Sequence, residues 1–275
     1  MSRHFFTLAA AMLLSAAPNS LLAQPTPAAQ AAFGAYTARV EARIAQQHRS
    51  SDTFLAVDPA AATRLHNGKP VIERLTPSAG AEVSGSLLHD WRGTAFVPGA
   101  TAQDFERLMQ DFAAYPQHFA PQVLQARLTA RSGDQMQAAM RIRQQHVITV
   151  VLDTTYDIAY GRLDARHGYS TSRSAKISEI YAPGTNAERA LSPDQEHGFL
   201  WRLNTYWSYE EKDGGLYLQV EAVSLTRSIP HGLGWAIAPY IESIPRDSLE
   251  FTLRSTCDAL VKKQAPPQSL ALKGQ

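Results

Sequence analysis

The stretch "GFLWRLNTYWSYEEKDGGLYLQVEAVSLTR", residues 198–227, decides the fold because it has the pattern of two long strands joined by a tight turn. Asp213-Gly214 separates the two apolar runs, and this dipeptide suits a two-residue hairpin turn in which both central residues take a positive φ. A turn of that length pairs Trp207 with Val220 and Tyr206 with Glu221. The sequence therefore predicts a long antiparallel hairpin with a defined register.

The two faces of this hairpin differ in chemistry. One carries Trp201, Leu203, Thr205, Trp207, Tyr209, Leu218, Val220 and Ala222, and the other carries Arg202, Asn204, Tyr206, Glu221, Leu225 and Arg227. On one interpretation the second, mixed face is ordinary surface, where each charged pair contributes less than about 1 kcal/mol. On the other, the mixed face lines a cavity in which a few polar groups orient an apolar ligand. Periodicity leaves both interpretations open.

The rest of the chain adds further strands between two helical regions. Apolar residues at three- and four-residue spacing predict helices over 31–47 and 101–114, with Tyr115-Pro116 ending the second. Strands are predicted at 88–97, 123–131, 135–145, 147–160, 168–180, 199–210 and 216–227, and 70–75 is a further candidate. A short helical piece at 232–242 and a longer helix that opens at Ser243-Ile244-Pro245 complete the order.

This order predicts an α+β fold in which a bent antiparallel sheet of about six or seven strands wraps around the C-terminal helix. That helix shows Leu249, Leu253, Cys257 and Leu260 on one face, so it needs an apolar surface to lie on. Cys257 is the only cysteine, which excludes an intramolecular disulfide, and its apolar setting predicts a small buried side chain. The predicted divisions are a signal peptide at 1–23, a lead and helical extension at 24–69, one domain at 70–263 and a disordered tail at 264–275.

Two stretches carry a family resemblance. They are "LHDWRGTAFVPGAT" (88–101) and "FLWRLNTYWSYEEKDGGLYLQVEAVSLTRSIPHGLGWAIAPYIESIPRDSLEFTLRST" (199–256). Together with the order of elements between them, they resemble exported bacterial members of the START-like (SRPBCC, helix-grip) superfamily over about residues 70–263. The resemblance implies a cavity between sheet and helix for a sterol, lipid or polyketide, with 182–198 and 239–245 near its mouth. It transfers no catalytic residue.

The predicted function is binding or transport of an apolar small molecule, lipid, sterol or polyketide-like, in this cavity. The predicted lining residues are Asn204, Tyr206, Glu221, Leu225 and Arg227, with Tyr156 and Trp235 as further candidates. One alternative is a polyketide cyclase or hydratase-like enzyme that uses Glu221, Tyr206 and Arg227 as acid and base in the same dry cavity. Another is a ligand-free interaction module in which Trp201 and Trp207 contact a partner protein.

Charge and the first residues bear on location and partners. The chain has 26 Lys and Arg against 25 Asp and Glu, a balance that predicts neither nucleic-acid binding nor attraction to anionic membranes. The apolar run at 5–17 is shorter than the roughly 20 residues of a spanning helix. It predicts a cleaved leader, and hence a periplasmic or secreted protein without stable membrane insertion.

Histidine spacing bears on metals. The nine histidines show no pair at a spacing of two or four and have no cysteine nearby, so we predict no metal site. The chain also shows no glycine-rich nucleotide or dinucleotide motif, so we predict no cofactor.

Overall fold

The computed structural model describes residues 24–76, 81–83, 85–145, 148–228 and 234–264. The predicted leader at 1–23 and residues 265–275 of the predicted tail lie outside this part. The helices are α1 Pro27–Gln47, α2 Ala62–His66, α3 Ala102–Gln110, α4 Tyr115–His118 and α5 Gly234–Gln264, with 3-10 turns at Ser51–Thr53, Pro59–Ala61 and Phe112–Ala114. The strands are β1 Val71–Arg74, β2 Ala81–Val83, β3 Ser86–Pro98, β4 Val123–Ser132, β5 Gln135–Gln145, β6 Thr149–Arg162, β7 His167–Tyr181, β8 Arg189–Ala190, β9 Arg202–Lys212 and β10 Gly215–Arg227.

The strands form one antiparallel sheet in the order β1-β3-β10-β9-β7-β6-β5-β4, with β2 paired to β3 and β8 paired to β7. The α+β helix-grip architecture predicted from the sequence is therefore confirmed. Over the described residues the sheet has 10 strands, more than the six or seven predicted. β2 and β8 have three and two residues, and a run so short shows no alternation that a sequence pattern could reveal.

The β9–β10 hairpin has the predicted turn and register. Asp213 and Gly214 have φ values of 55° and 74°, as the two-residue turn requires. Trp207 pairs with Val220 and Tyr206 pairs with Glu221. Local turn chemistry was thus sufficient to define the register.

The helices differ from the predicted ones at their ends. α1 begins at Pro27, because the Thr26 side chain accepts a hydrogen bond from the Ala29 N–H and caps the first turn. α3 ends at Gln110, and Pro116 lies in the first turn of α4, so the prediction that Tyr115-Pro116 ends a helix over 101–114 is wrong. Proline is tolerated in a first turn because its missing N–H would have no intrahelical acceptor there.

The two C-terminal helical pieces form one helix. α5 runs without a break from Gly234 to Gln264, and Pro245 lies inside it. A proline removes one hydrogen bond from a helix, but the remaining bonds and tertiary packing can hold the axis together. The predicted helix start at Ser243 is therefore wrong, and Gln264 belongs to α5 and not to the tail.

Helices cover both faces of the sheet. On the face that we call inner, Leu249, Leu253 and Leu260 of α5 pack with Trp207 and Val220, and the partly buried Cys257 joins them. α5 approaches β3 closely at Gly93, where an added Cβ would lie 3.0 Å from Leu253. On the opposite, outer face, α1 packs against β3, β9 and β10 through a second apolar cluster. None of the helices in the described part is long and apolar enough to cross a membrane.

Candidate functional site

The ring-rich face of the hairpin is the inner face. Trp207 and Val220 are 4% and 1% exposed and pack under α5. Trp201 is an exception to the predicted alternation, because it precedes β9 and packs on the outer side with Tyr206 and Leu225. Since Trp201 and Trp207 are both buried, neither ring is available to a partner protein in this conformation.

The mixed face is the outer face, and α1 covers it. Phe33 and Val40 of α1 pack with Leu225. The Tyr206 hydroxyl donates to Glu41 at 3.0 Å, and Arg43 forms an ion pair with Glu221. The mixed face is therefore neither solvent-exposed surface nor a wall beside α5, but a second core with its own polar contacts.

The predicted lining residues fall into two groups. Asn204, Tyr206, Glu221 and Leu225 lie together beneath α1, each less than about one-tenth exposed, and the Asn204 amide donates to the Tyr206 hydroxyl at 3.2 Å. Tyr156 lies on the inner face, in the cluster that contains Phe251 of α5. The sheet separates the first group from Tyr156, so one pocket does not include both. Ligand contact by the outer four stays a prediction, and it would require α1 to move.

The two remaining candidates lie at the ends of elements. Arg227 is half-buried at the end of β10, where its backbone N–H donates to the Gly198 carbonyl at 2.9 Å. Trp235 lies in the first turn of α5, and its side chain is outside the described part of the chain. The proposed acid and base set of Glu221, Tyr206 and Arg227 thus has two members facing α1.

Two carboxyl groups lie close together under α1. Asp90 and Glu221 are 1% and 3% exposed, on the adjacent strands β3 and β10. Tyr36 donates to one Asp90 oxygen at 2.8 Å, and the other oxygen is buried without a hydrogen-bond partner in the described residues. Burial raises the pKa of Asp90 to about 7, and the Glu221 charge adds to this rise. Asp90 is therefore a buried acid that binds a proton near neutral pH.

Glu41 has the opposite electrostatic setting. Burial by itself would raise its pKa, but hydrogen bonds from Arg173, at 2.8 Å, and from Tyr206 outweigh burial and lower it. Glu41 is thus a charged acceptor that ties α1 to β7 and β9.

The inner face is only partly covered. α5 lies over β1, β3 and β10, whereas four inner-facing side chains of β5, β7 and β9 are only half-buried: Met140, Ser172, Leu203 and Thr205. We call this region the inner groove; it is lined by Met140, Tyr156, Ser172, Leu203, Thr205 and Phe251. Apolar and hydroxyl side chains in the middle of a sheet normally lie under a second layer, so partial exposure marks a space that the described residues leave open.

Cross-strand pairing defines the arrangement of the groove. Ser172 of β7 lies directly opposite Thr205 of β9, and Tyr156 of β6 lies opposite Ser174. The Ser174 hydroxyl accepts from the Leu203 N–H at 3.0 Å. Burial raises the pKa of Tyr156 to about 12, so its phenol is neutral at physiological pH.

A carboxylate holds the loop before β9 at one end of this face. Glu179, at the end of β7, accepts hydrogen bonds from the backbone N–H groups of His197, Gly198 and Phe199 at 2.9, 2.9 and 3.1 Å. The His197 ring adds a contact at 2.7 Å. The C-terminal part of the loop at 182–198 is thereby fixed to β7.

Two pockets lie among the described residues at other positions. One of about 210 Å³ is lined by Pro121, Gln122, Arg143, Gln145 and Phe251, and shares Phe251 with the inner groove. One of about 260 Å³ lies at the Asp213-Gly214 turn and the start of α3, away from the groove. Both are smaller than the roughly 300 Å³ at which ligand pockets begin. Among the described residues no group of three His, Cys, Asp or Glu side chains is placed to hold a metal ion.

Sequence reasoning missed the polar contribution of α1. Tyr36, Glu41 and Arg43 supply the partners of the outer face, and Asp90 is one of the groups that they meet. A signal was present, because Glu41 and Arg43 lie beside Val40 on the apolar stripe of the predicted helix. Charges at the border of an apolar stripe can reach polar groups of the surface beneath.

Comparisons with known proteins bear on the fold. No protein-family model matches the chain, and no curated protein matches it. Among solved structures, a START superfamily protein from Mycobacterium smegmatis has 15% identity and a TM-score of 0.42, over 63% of this chain and 98% of that one. Human STARD10 has 8% identity and a TM-score of 0.44, over 76% of this chain and 81% of that one. The Zhui aromatase/cyclase from Streptomyces sp. R1128 has 12% identity and a TM-score of 0.43, over 64% of this chain and 95% of that one.

These identities and TM-scores are too low to transfer a ligand or an activity. The architecture itself, an antiparallel sheet packed against a long C-terminal helix, carries the assignment. The chain has a helix-grip fold.

Proposed function

We propose that the protein binds an apolar small molecule in the inner groove. The observation that supports this proposal is the partial exposure of Met140 and Leu203 on a sheet face that α5 covers elsewhere, together with that of Phe251 on α5 in the same cluster. Each Å² of apolar surface that a ligand and this groove remove from water contributes about 25 cal/mol. A lipid, sterol or polyketide-like molecule has the apolar area that such a site requires.

The proposal includes a place of action outside the cytoplasm. Its support is the leader-like order of residues 1–23, in which a basic start is followed by an apolar run and small residues. N-terminal sequencing of the protein isolated from its own organism tests this part, and a chain that still begins at Met1 would contradict it.

A substitution that fills the groove tests the binding proposal. Ser172 is half-buried at the middle of the groove, so Ser172→Phe should occupy ligand space and leave the unfolding free energy within about 1 kcal/mol of wild type. Thr155→Phe is the matched control, because Thr155 is exposed on the outer face of β6. Native mass spectrometry of purified full-length protein, with and without added lipid extract, measures the bound small molecule.

The expected result is a mass shift for wild type and for Thr155→Phe, and its loss in Ser172→Phe. An unliganded mass for wild type under all conditions would overturn the proposal. A Ser172→Phe protein that unfolds far more easily than Thr155→Phe would also oppose it, because a ring inserted into a filled core causes strain.

A further inference from the structure

Three hydroxyl groups lie side by side on the sheet surface that forms the inner groove. They belong to Ser172 on β7, Thr205 on β9 and Ser224 on β10, and we call them the hydroxyl floor. Ser172 is directly opposite Thr205, and Thr205 is directly opposite Ala222, the inner-facing residue two positions before Ser224. Neighbouring positions of this kind lie within reach of one small molecule.

Among the residues that the structure describes, the hydroxyl floor has no hydrogen-bond partner. In the described part of the chain none of the three side chains makes a hydrogen bond, and none of the three oxygens is sealed from solvent as the unpartnered Ser248 hydroxyl is. The adjacent Ser174 is different, since its oxygen accepts from the Leu203 N–H. The three hydroxyls therefore keep their hydrogen-bonding capacity for something that enters the groove.

A packing role does not explain these residues. Under α5, the same face of β9 and β10 carries Trp207, Leu218 and Val220. Covering an unpartnered hydroxyl with apolar protein costs about 1 to 3 kcal/mol, so a floor that existed only to be covered would be apolar. The change from large apolar side chains to small hydroxyls coincides with half-buried positions at Ser172 and Thr205, and Ser224 beside them is 6% exposed.

We infer that the groove selects an apolar molecule that carries hydroxyl or carbonyl oxygens along the side facing the sheet, in preference to a plain hydrocarbon chain. This inference rests on the proposed function and adds the chemical class of the ligand to it. Met140, Leu203 and Phe251 contact the apolar body, while Ser172, Thr205 and Ser224 exchange hydrogen bonds with its oxygens. A hydroxyl both donates and accepts, so the floor is suited to hydroxyl and carbonyl groups alike.

The mechanism of selection is the cost of an unmet hydrogen bond. When a ligand without oxygens displaces water from the floor, the three hydroxyls lose their partners. An oxygenated ligand replaces the water and restores them. A site that hydrogen-bonds its ligand discriminates strongly against an analogue that lacks the polar group. It discriminates less against an analogue that differs only in size.

A matched pair of fluorescent probes tests the inference on the full-length protein. Pyrene and 1-hydroxypyrene have the same ring system and differ by one hydroxyl, and the ratio of their dissociation constants is the quantity to measure. Thr205→Val and Ser172→Ala remove one floor hydroxyl each with little change of shape. Thr155→Val is the control, because it removes an exposed hydroxyl from the outer face.

We expect the preference for 1-hydroxypyrene to fall about fivefold to tenfold in Thr205→Val or Ser172→Ala, which corresponds to one net hydrogen bond. Thr155→Val should keep the wild-type ratio. If both probes bind and no floor substitution changes the ratio, the inference is overturned while the proposed binding function stands. If wild type binds neither probe nor any lipid, both fail.

Discussion

Tyr206 illustrates how much of a side chain's role depends on what covers it. Its ring is 3% exposed, and its hydroxyl joins Asn204 to Glu41 of α1. The same residue, considered on its strand alone, was equally consistent with a cavity wall. The covering helix makes it a structural residue of the outer face.

With α1 in place over Tyr206, its substitution should therefore lower stability, and an effect on ligand uptake would require α1 to move. Tyr206→Phe removes one buried hydrogen bond and should lower the unfolding free energy by about 1 kcal/mol. Tyr206→Ala also leaves a cavity under α1 and should cost about 3 to 5 kcal/mol. Urea unfolding, together with probe binding by the folded protein, checks both values.

The control for this prediction is Ser172→Phe, which should show the reverse pattern. A Tyr206→Phe protein with wild-type stability and lost ligand uptake would indicate that Tyr206 contacts the ligand, as the sequence first suggested.

At the scale of elements, α1 is the helix whose polar residues complete the sheet. It contributes Tyr36 to Asp90, Arg43 to Glu221 and Glu41 to Tyr206. At its C-terminal end the half-buried His48 ring contacts the Ser208 hydroxyl at 2.8 Å. Among the titratable groups of this interface, Asp90 and His48 have pKa values shifted to about 7 and about 4, so the stability of α1 packing depends on pH.

The two shifts act in opposite directions. The pKa of Asp90 is raised to about 7, so the stability that protonated Asp90 contributes is present below about pH 4 and is lost as the pH rises through 7. Burial lowers the pKa of His48 to about 4, so the contribution of neutral His48 is present above about pH 6.5 and is lost as the pH falls through 4.

Single substitutions should separate these contributions. In wild type, protonation of Asp90 should raise the unfolding free energy by up to about 4 kcal/mol between pH 7 and pH 4. Asp90→Asn should lack this gain. Protonation of His48 should lower the unfolding free energy over the same pH range, and His48→Gln should lack this loss. Urea unfolding at pH 4, 5, 6 and 7 measures both, and hydrogen exchange of the α1 amides reports where the change occurs.

Parallel pH profiles for wild type, Asp90→Asn and His48→Gln would contradict this assignment. The variant Asp247→Asn is a suitable control, since Asp247 lies on α5 and pairs only with the exposed Arg246.

At the scale of the whole molecule, the sheet is a central layer with an apolar cover on each side. Leu88, Val223 and Leu225 under α1 are 2%, 0% and 0% exposed, as deeply buried as the residues under α5. The predicted boundary at residue 70 would place α1 outside the domain, although α1 packs against Tyr206, Val223 and Leu225 on the outer face of the hairpin. We expect α1 to be required for the fold.

Truncation tests this expectation. A chain that begins at residue 50 should expose Val223 and Leu225, bind the dye 1-anilinonaphthalene-8-sulfonate strongly and elute as aggregates in size-exclusion chromatography. A chain that ends at Gln264 should behave like the full-length protein, because α5 remains complete. A monomeric, cooperatively melting chain from residue 50 would instead support the predicted boundary at 70.

Features that depend on neighbours along the chain could be predicted from the residues alone. The Asp213-Gly214 turn defined the register of β9 and β10, and the alternation of Asp153, Thr155 and Asp157 with apolar residues defined which side of β6 is buried. These features follow from backbone geometry within a few residues, so they are visible in a single pattern.

Which face of the hairpin meets which helix follows from packing between distant segments and could not be predicted from the strand pattern. Asn204, Tyr206 and Glu221 alternate correctly with Trp207 and Tyr209, but alternation is the same whichever face turns toward α5. The choice depends on α1, which reaches Glu221 from Arg43 across more than half of the chain. Such a contact is set by the packing of distant segments, because burying apolar area and pairing buried charges involve the whole sheet at once.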